Sequence, residues 1–354
     1  MNRETADRWL LRAMATLLLI QLVCGVAFTG MVRPEDFLVA MGISVLLLIL
    51  WIARIWTNQS LKVSFPPVGW CVVAFIVMTV VWAFLADVPY VARSELLRGL
   101  VYGVVFATAL HCFRSRGAIR TLVFVLLVLA LANTIYAGYQ AAVDPDHVWH
   151  FERPKAYGYG RRGSGFFINP NNLAILLAMI LPIILAFALV SRLKPVPKIF
   201  LGYSSLVLIV GIGLTLSRGG WIATSASMLL FFAALIRMRA YRKPALVALI
   251  TLACLGGYFI SQSEMGKIRL RTAIEKGPQG NIRYHIWKTA WDMWQDNAWA
   301  GVGPGHFDVR YREYRSREMQ ARPHHVHNDY LNTLADLGVL GFTLALATLG
   351  AFFL

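Results

Sequence analysis

Asn171-Asn172-Leu173-Ala174-Ile175-Leu176-Leu177-Ala178-Met179-Ile180-Leu181-Pro182-Ile183-Ile184-Leu185-Ala186-Phe187-Ala188-Leu189-Val190 runs without a charged residue. The hydrocarbon core of a bilayer takes about 20 mostly apolar residues as a helix, so this stretch is long enough to cross. Asn169-Pro170 just before it is a good helix start, with Asn as the cap and Pro at the first helical position. Outward from here the same character recurs at about 13–31, 37–53, 66–86, 97–112, 119–142, 199–216, 221–236, 244–261 and 329–354. These stretches set the composition. Of 354 residues, 58% are hydrophobic and only 15% charged; mean hydropathy is +0.59. Soluble domains carry roughly 25% charged residues. A disordered chain, a disulfide-rich secreted domain and an ordinary soluble enzyme are excluded. The expected fold class is an all-α integral membrane protein with about ten transmembrane helices. It reads as one polytopic membrane domain over 1–354. No internal repeat or low-complexity run interrupts it.

The charge pattern sets the expected topology. With the N-terminus in the cytoplasm, the inner segments are 1–12, 54–62, 111–120, 191–198 and 237–243. They hold fifteen Lys/Arg, among them Arg54, Lys62, Arg120 and Lys198, against two acids, Glu4 and Asp7. The rest of the chain holds nineteen Lys/Arg and sixteen acids. That is the positive-inside pattern. Residues 13–31 are too long for a cleaved signal peptide, lack a clear small-residue cleavage site and lead straight into a second span. The last span reaches Leu354 with no polar exit, so a longer native chain is expected. Cys24, Cys71, Cys112 and Cys254 lie in or beside apolar stretches and form no CxxC pair; they read as small buried hydrophobes. The net charge of +16 comes with no nucleic-acid motif.

Inner connections are short, whereas two outer segments, 143–170 and 262–328, are long. Polar residues spent on one side point to work done there. The first loop ends Arg161-Arg162-Gly163-Ser164-Gly165-Phe166-Phe167-Ile168-Asn169-Pro170. Helix N-termini attract anions, and two arginines add charge. Arg161, Arg162, Asn169, Asn171 and Asn172 are therefore candidate substrate-binding residues. A plain capped helix with interfacial arginines explains the same residues. Ser217-Arg218-Gly219-Gly220 is a tight outer turn that opens another span. Arg218 either snorkels to lipid headgroups or marks a functional site, since charge at membrane depth is costly.

The second long loop is the richest. Arg283, Trp287, Trp291 and Trp294 fall at helical spacing, and the tryptophans fit a helix anchored in the interface. Gly301-Val302-Gly303-Pro304-Gly305-His306-Phe307 follows no strand and lacks a Lys-Ser/Thr, so it reads as a tight turn and only weakly as a phosphate cradle. The loop closes with His324-His325-Val326-His327-Asn328-Asp329. Three histidines and an aspartate suggest zinc, but no matching Cys or carboxylate spacing supports it. The stronger reading makes one histidine an acid–base group, oriented by Asn328 or Asp329.

Together these elements resemble the O-antigen ligase family and the wider superfamily of O-antigen polymerases and bacterial protein O-oligosaccharyltransferases. The resemblance rests on Gly165-Phe166-Phe167-Ile168-Asn169-Pro170-Asn171-Asn172-Leu173-Ala174, on Ser217-Arg218-Gly219-Gly220, and on Arg283 followed by Trp287. It continues with Gly301 to Phe307, with His327-Asn328-Asp329-Tyr330-Leu331, and with Asp336-Leu337-Gly338-Val339-Leu340-Gly341. It covers about 150–345; the first five spans match only in hydropathy. The resemblance implies a GT-C-like fold in the bacterial inner membrane, with the long periplasmic loop between the last two spans. It also implies transfer of a glycan from undecaprenyl pyrophosphate to an acceptor at the periplasmic face, with neither metal nor nucleotide as cofactor. The acceptor is lipid A-core oligosaccharide for ligases, another lipid-linked repeat for polymerases and a protein Ser or Thr for oligosaccharyltransferases. By position, Arg218 and Arg283 match the pyrophosphate-binding arginines and His327 the essential histidine. Arg161 or Arg162 matches more loosely, and His324 and His325 beside His327 depart from the pattern. An inverting reaction is expected, because no carboxylate pair suggests a covalent glycosyl intermediate.

A transporter is the alternative from another class. Transporters place charge near the membrane midplane, and these span interiors carry almost none. A scaffold protein would not need arginines at three boundary sites. A zinc-dependent membrane hydrolase needs a ligand set that the histidine spacing does not supply.

Overall fold

The computed structural model describes residues 3–58, 65–154, 158–262, 282–315 and 322–353. Lys62, Lys155, Leu354 and residues 263–281 and 316–321 lie outside the described residues. The helices in order are α1 (Arg3–Ala27), α2 (Pro34–Thr57), α3 (Pro67–Leu85), α4 (Pro89–Cys112), α5 (Arg116–Ala142), α6 (Pro170–Leu189), α7 (Pro195–Leu214), α8 (Arg218–Arg237), α9 (Arg242–Gln262), α10 (Ile282–Asp296), α11 (Phe307–Tyr314) and α12 (Asp329–Phe352). A two-residue hairpin, β1 (His147–Val148) with β2 (Phe151–Glu152), pairs antiparallel between α5 and α6. Nine of the described helices, α1 to α8 and α12, are long and apolar enough to cross a membrane. The chain is an all-α, multi-pass membrane protein. The tenth expected stretch, 244–261, falls on α9.

Several helices begin where local chemistry predicts. Pro occupies the first turn of α3, α6 and α7, where its missing N–H costs nothing. The Asn169, Ser217 and Asn328 side chains cap α6, α8 and α12 by accepting first-turn N–H groups. Two helices outrun their hydropathy. α1 begins at Arg3 rather than near 13, and α4 at Pro89 rather than near 97. A helix is a hydrogen-bonded object, and it continues past the apolar core when charged side chains find partners. Arg54 Nε donates to Asp7 Oδ1 at 2.7 Å near the start of α1, and Arg98 pairs with Glu95 one turn apart on α4.

The chain divides into two compact units. The first comprises Met1–Leu11, Ser44–His111 and Arg271–Leu354; the second comprises Arg12–Ile43 and Cys112–Leu270. In the second, α6 packs on α5, α7 and α8 around Leu173, Leu177, Ile180, Ile184, Leu208 and Phe232. In the first, α12 packs on α3 and α10, and Ile286, Met293, Phe307, Tyr311 and Val326 form a smaller core.

α12 is broken. Gly338 has φ 65° and ψ −166°, outside the helical region. The break frees carbonyls upstream, and the glycine-rich turn meets them. Val302 N–H donates to Ala335 O and Gly303 N–H to Asp336 O, both at 2.9 Å. Beyond the break, Val339 N–H donates to Ala298 O at 2.9 Å. Backbone touches backbone here. A Cβ on Gly301 would stand 2.4 Å from Asp336 C, and one on Gly338 would stand 2.3 Å from Trp299 O. Only glycine allows such an approach. The 301–307 stretch is thus the tight turn expected of it, and its work is to saturate a broken membrane helix.

Candidate functional site

In the second unit the helix ends carry the candidate groups. Gln140, fully buried near the end of α5, donates to His147 O (2.9 Å) and Gly165 O (3.1 Å) and accepts from Ser164 N–H (3.0 Å). Buried Asn133 accepts from Phe166 N–H at 2.9 Å. These two amides fasten the Gly163–Phe166 segment against α5. Gly165 has φ 60°, and a Cβ there would stand 2.5 Å from Asn133 Oδ1. Arg162 continues the clamp: Nε donates to Thr215 O at 2.8 Å and Nη2 to Asn171 Oδ1 at 3.0 Å. Arg162 therefore joins the end of α7 to the start of α6.

Arg161 turns elsewhere, donating to Ala141 O (3.1 Å) and Ala142 O (2.7 Å) at the last turn of α5. A cation there satisfies orphan carbonyls. Asn169 Oδ1 accepts from Asn171 N–H at 2.9 Å, so this asparagine is the α6 cap, and Asn172 is exposed beside it. Ser217 Oγ accepts from Gly220 N–H at 3.1 Å and caps α8. A Cβ on Gly220 would lie 2.4 Å from Ala174 Cβ. The missing side chain lets α8 press against α6 close to both N-termini. Two positive helix ends therefore lie side by side, with Arg162 between them and exposed Arg218 as the first residue of α8.

Arg153 was not legible as important. It is 5% exposed and donates to Pro145 O (2.8 Å), Arg162 O (3.0 Å) and Ile168 O (3.5 Å). Burial lowers its pKa, with Tyr159 and Asp146 opposing. It ties the first long loop to the residue that clamps the helix ends. Gln140 and Asn133 did leave a signal, as amides inside an apolar stretch, because a buried amide must be bonded.

In the first unit the candidate groups sit on the loop before α12. His327 is exposed and has φ 57°, an uncommon conformation outside glycine and a form of stored strain. Its neighbours over-determine it. Val326, fully buried, gives its N–H to Asn332 Oδ1 at 3.1 Å. Asn332 Nδ2 donates to Asp336 Oδ2 at 2.8 Å, and Asp336 Oδ1 accepts from Phe307 N–H at 2.8 Å. On the other side, Asn328 Oδ1 accepts from Tyr330 N–H (3.1 Å) and Leu331 N–H (3.3 Å). Asn328 is therefore the α12 cap, and Asp329 stands in the first turn, where negative charge suits the helix dipole. The His327 ring reaches solvent, yet enough protein surrounds it for desolvation to lower its pKa. The nearby Arg283 and then His325 lower it further.

The three histidines differ. His324 Nδ1 lies 2.9 Å from Asp308 Oδ2, and Arg322 pairs with the other oxygen. Burial raises the Asp308 pKa, but His324 and then Arg322 outweigh it and hold the carboxyl below its usual range. His325 faces His327 electrostatically. His306, fully buried, is a fourth and is structural. Its Nε2 accepts from Val88 N–H at 3.1 Å, so its Nδ1 carries the proton that bonds Pro304 O at 2.9 Å. Asp336, Asn332 and His306 were quoted within motifs or passed over, but nothing in their spacing announced this network. On α10, Ile286, Ala290 and Met293 turn inward while Trp287 and Trp291 stay exposed, the division expected of an interfacial helix.

Residues 203–346 match the family model described as O-antigen ligase. The match supports an O-antigen ligase family assignment for this segment. The match takes in Ser217–Gly220, Arg283, the 301–307 turn and the His327–Gly341 stretch; the Gly165–Ala174 motif lies before it. No curated protein sequence matches the chain. The match supports a glycosyltransferase of the O-antigen ligase and polymerase type. Arg283, His325 and His327 come together in the first unit. Arg162, Asn169, Asn171 and Arg218 gather at helix ends in the second.

Proposed function

We propose that the protein transfers an O-antigen-type glycan from undecaprenyl pyrophosphate to lipid A-core oligosaccharide, at the periplasmic face of a bacterial inner membrane. The observation that carries this reading is His327, held in a left-handed conformation with its cation disfavoured by burial and by Arg283. Such an imidazole is neutral at neutral pH and is suited to take a proton. His327 removes the proton from the acceptor hydroxyl. The hydroxyl oxygen forms a bond to the anomeric carbon on the face opposite the leaving group. The bond from that carbon to the pyrophosphate oxygen breaks, and its electron pair leaves with the pyrophosphate. The anomeric centre inverts.

The leaving group gains negative charge, and the arginines answer that charge. Arg218 stands at a helix N-terminus beside a second one, which suits phosphate oxygens. Arg283 also suits a phosphate, since a guanidinium binds phosphate bidentately where an ammonium does not. Positive groups fixed before the reaction lower the barrier as charge develops. Neither metal nor nucleotide enters this scheme. Arg162, Asn171 and Asn172 extend the polar surface at the helix ends.

The test is transfer by purified protein in nanodiscs. The donor is an undecaprenyl-pyrophosphate-linked glycan, a chelator is present, and lipid A-core, a second lipid-linked glycan and an acceptor peptide are offered separately. Product with lipid A-core is expected. Product only with the second glycan or the peptide reassigns the acceptor, and no product with any overturns the reading.

A further inference from the structure

The first unit holds a cavity of about 280 Å³ between α4, the start of α11 and the histidine loop. Glu95, Arg98, Asp308, His325, Asn332 and Phe307 are among its lining residues. Gly305 makes the wall. Its φ is 70°, and a Cβ there would stand 2.7 Å from Glu95 Cγ. The turn can therefore approach α4 only because position 305 has no side chain. The lining mixes carboxylates, a guanidinium, imidazoles and an amide. A phosphate would meet the carboxylates, and a cation would meet the arginine. A ligand whose groups both donate and accept suits all of them. The volume lies near the lower end of ligand pockets, roughly 300–1,000 Å³, which favours one ring over a chain of them.

We propose that this cavity binds a single sugar residue of the acceptor, neutral and rich in hydroxyls. The proposal rests on the glycan-transfer reading and names where that reading's acceptor is recognised. His325 borders the cavity two residues before His327 on the same loop. Asn332 borders it too, and its side chain holds the Val326 N–H, next to His327. A sugar seated here lies against the segment that carries the base. Glu95 is paired only through Oε1, with Arg98, so among the described residues Oε2 remains an acceptor for a ligand hydroxyl.

The experiment measures KM for lipid A-core and for the undecaprenyl-pyrophosphate-linked donor in Glu95→Gln, which keeps shape and removes charge. Val91→Phe, from another lining position, fills the space without removing a polar group. Acceptor KM is expected to rise about tenfold, as loss of one charge-assisted hydrogen bond implies, with donor KM and kcat within about twofold. Acceptor KM unchanged within about twofold in the variants that fold as wild type overturns the subsite and leaves glycan transfer standing. Donor KM rising as much as acceptor KM also overturns it. No transfer by the wild-type protein overturns the functional reading, and the subsite with it.

Discussion

The two units solve the problem of holding polar groups at a membrane boundary in different ways. In the second, intact helices end together, and Arg162, Asn169 and Ser217 saturate the backbone around those ends. The helices supply both rigidity and positive potential. In the first, a helix is broken at Gly338, a glycine turn satisfies the freed carbonyls, and an Asp336–Asn332–Val326 chain fixes a strained histidine. A binding site for charge is best built on helix termini, where the dipole is already aimed. A base must be aimed at one atom, and a loop over-determined by side chains can do that.

The largest effect should come from the broken helix. Gly338→Val places branched carbons where a Cβ already meets backbone at 2.3 Å, at a positive φ. A cost of about 3 kcal/mol or more is expected, read as loss of monodisperse protein after detergent extraction. Gly219→Ala is the counterpart in the second unit. Nothing stands within 4 Å of a Cβ there, so the protein should fold as wild type. A Gly338 variant that folds normally would break the contrast between the units.

Removal of the charged groups comes next. His327→Ala should lower kcat by about 10²–10⁴-fold, while His324→Ala and His325→Ala, at more peripheral positions, lose less. Arg218→Ala and Arg283→Ala should each remove most activity, about 10²–10³-fold, while the protein still inserts. Lys at either position should also be damaging. Full activity in all three alanine variants would sink the mechanism. Asp336→Ala removes the acceptor for Phe307 N–H and Asn332 Nδ2, and is expected to cost about 1–3 kcal/mol. If Asp336 positions the histidine loop, kcat falls with little change in donor KM.

The pH dependence sharpens the comparison with the smallest effect. The His327 pKa is lowered below the ordinary 6.5, and the neutral form is the base. Activity should therefore persist at pH 6.5 and fall only as pH drops through the lowered value. Arg283→Gln removes a cation that disfavours the imidazolium. The acidic limb of residual kcat/KM should then move up towards 6.5. An acidic limb that stays in place would show that Arg283 does not bear on the histidine.

Hydropathy made the fold class legible because a membrane span is a local property: length and apolar side chains suffice, with no partner required. The helix starts at Asn169-Pro170, Ser217-Arg218 and Asn328-Asp329 were legible for the same reason, since a cap bonds residues two or three positions away. The grouping of arginines and histidines near span boundaries could also be read directly from order and charge. What no single stretch contained was the partner of each group. Arg161 and Arg162 are neighbours in sequence, yet one turns to the end of α5 and the other bridges α6 and α7. His306, His324 and His327 belong to the same residue type, yet one is a buried structural bond, one an ion-pair partner and one a strained, exposed imidazole. Those roles depend on contacts made across tens or hundreds of residues, such as Val88 with His306 and Ala335 with Val302. Folding alone creates such contacts, because each buried donor or acceptor must find its partner wherever the chain brings one.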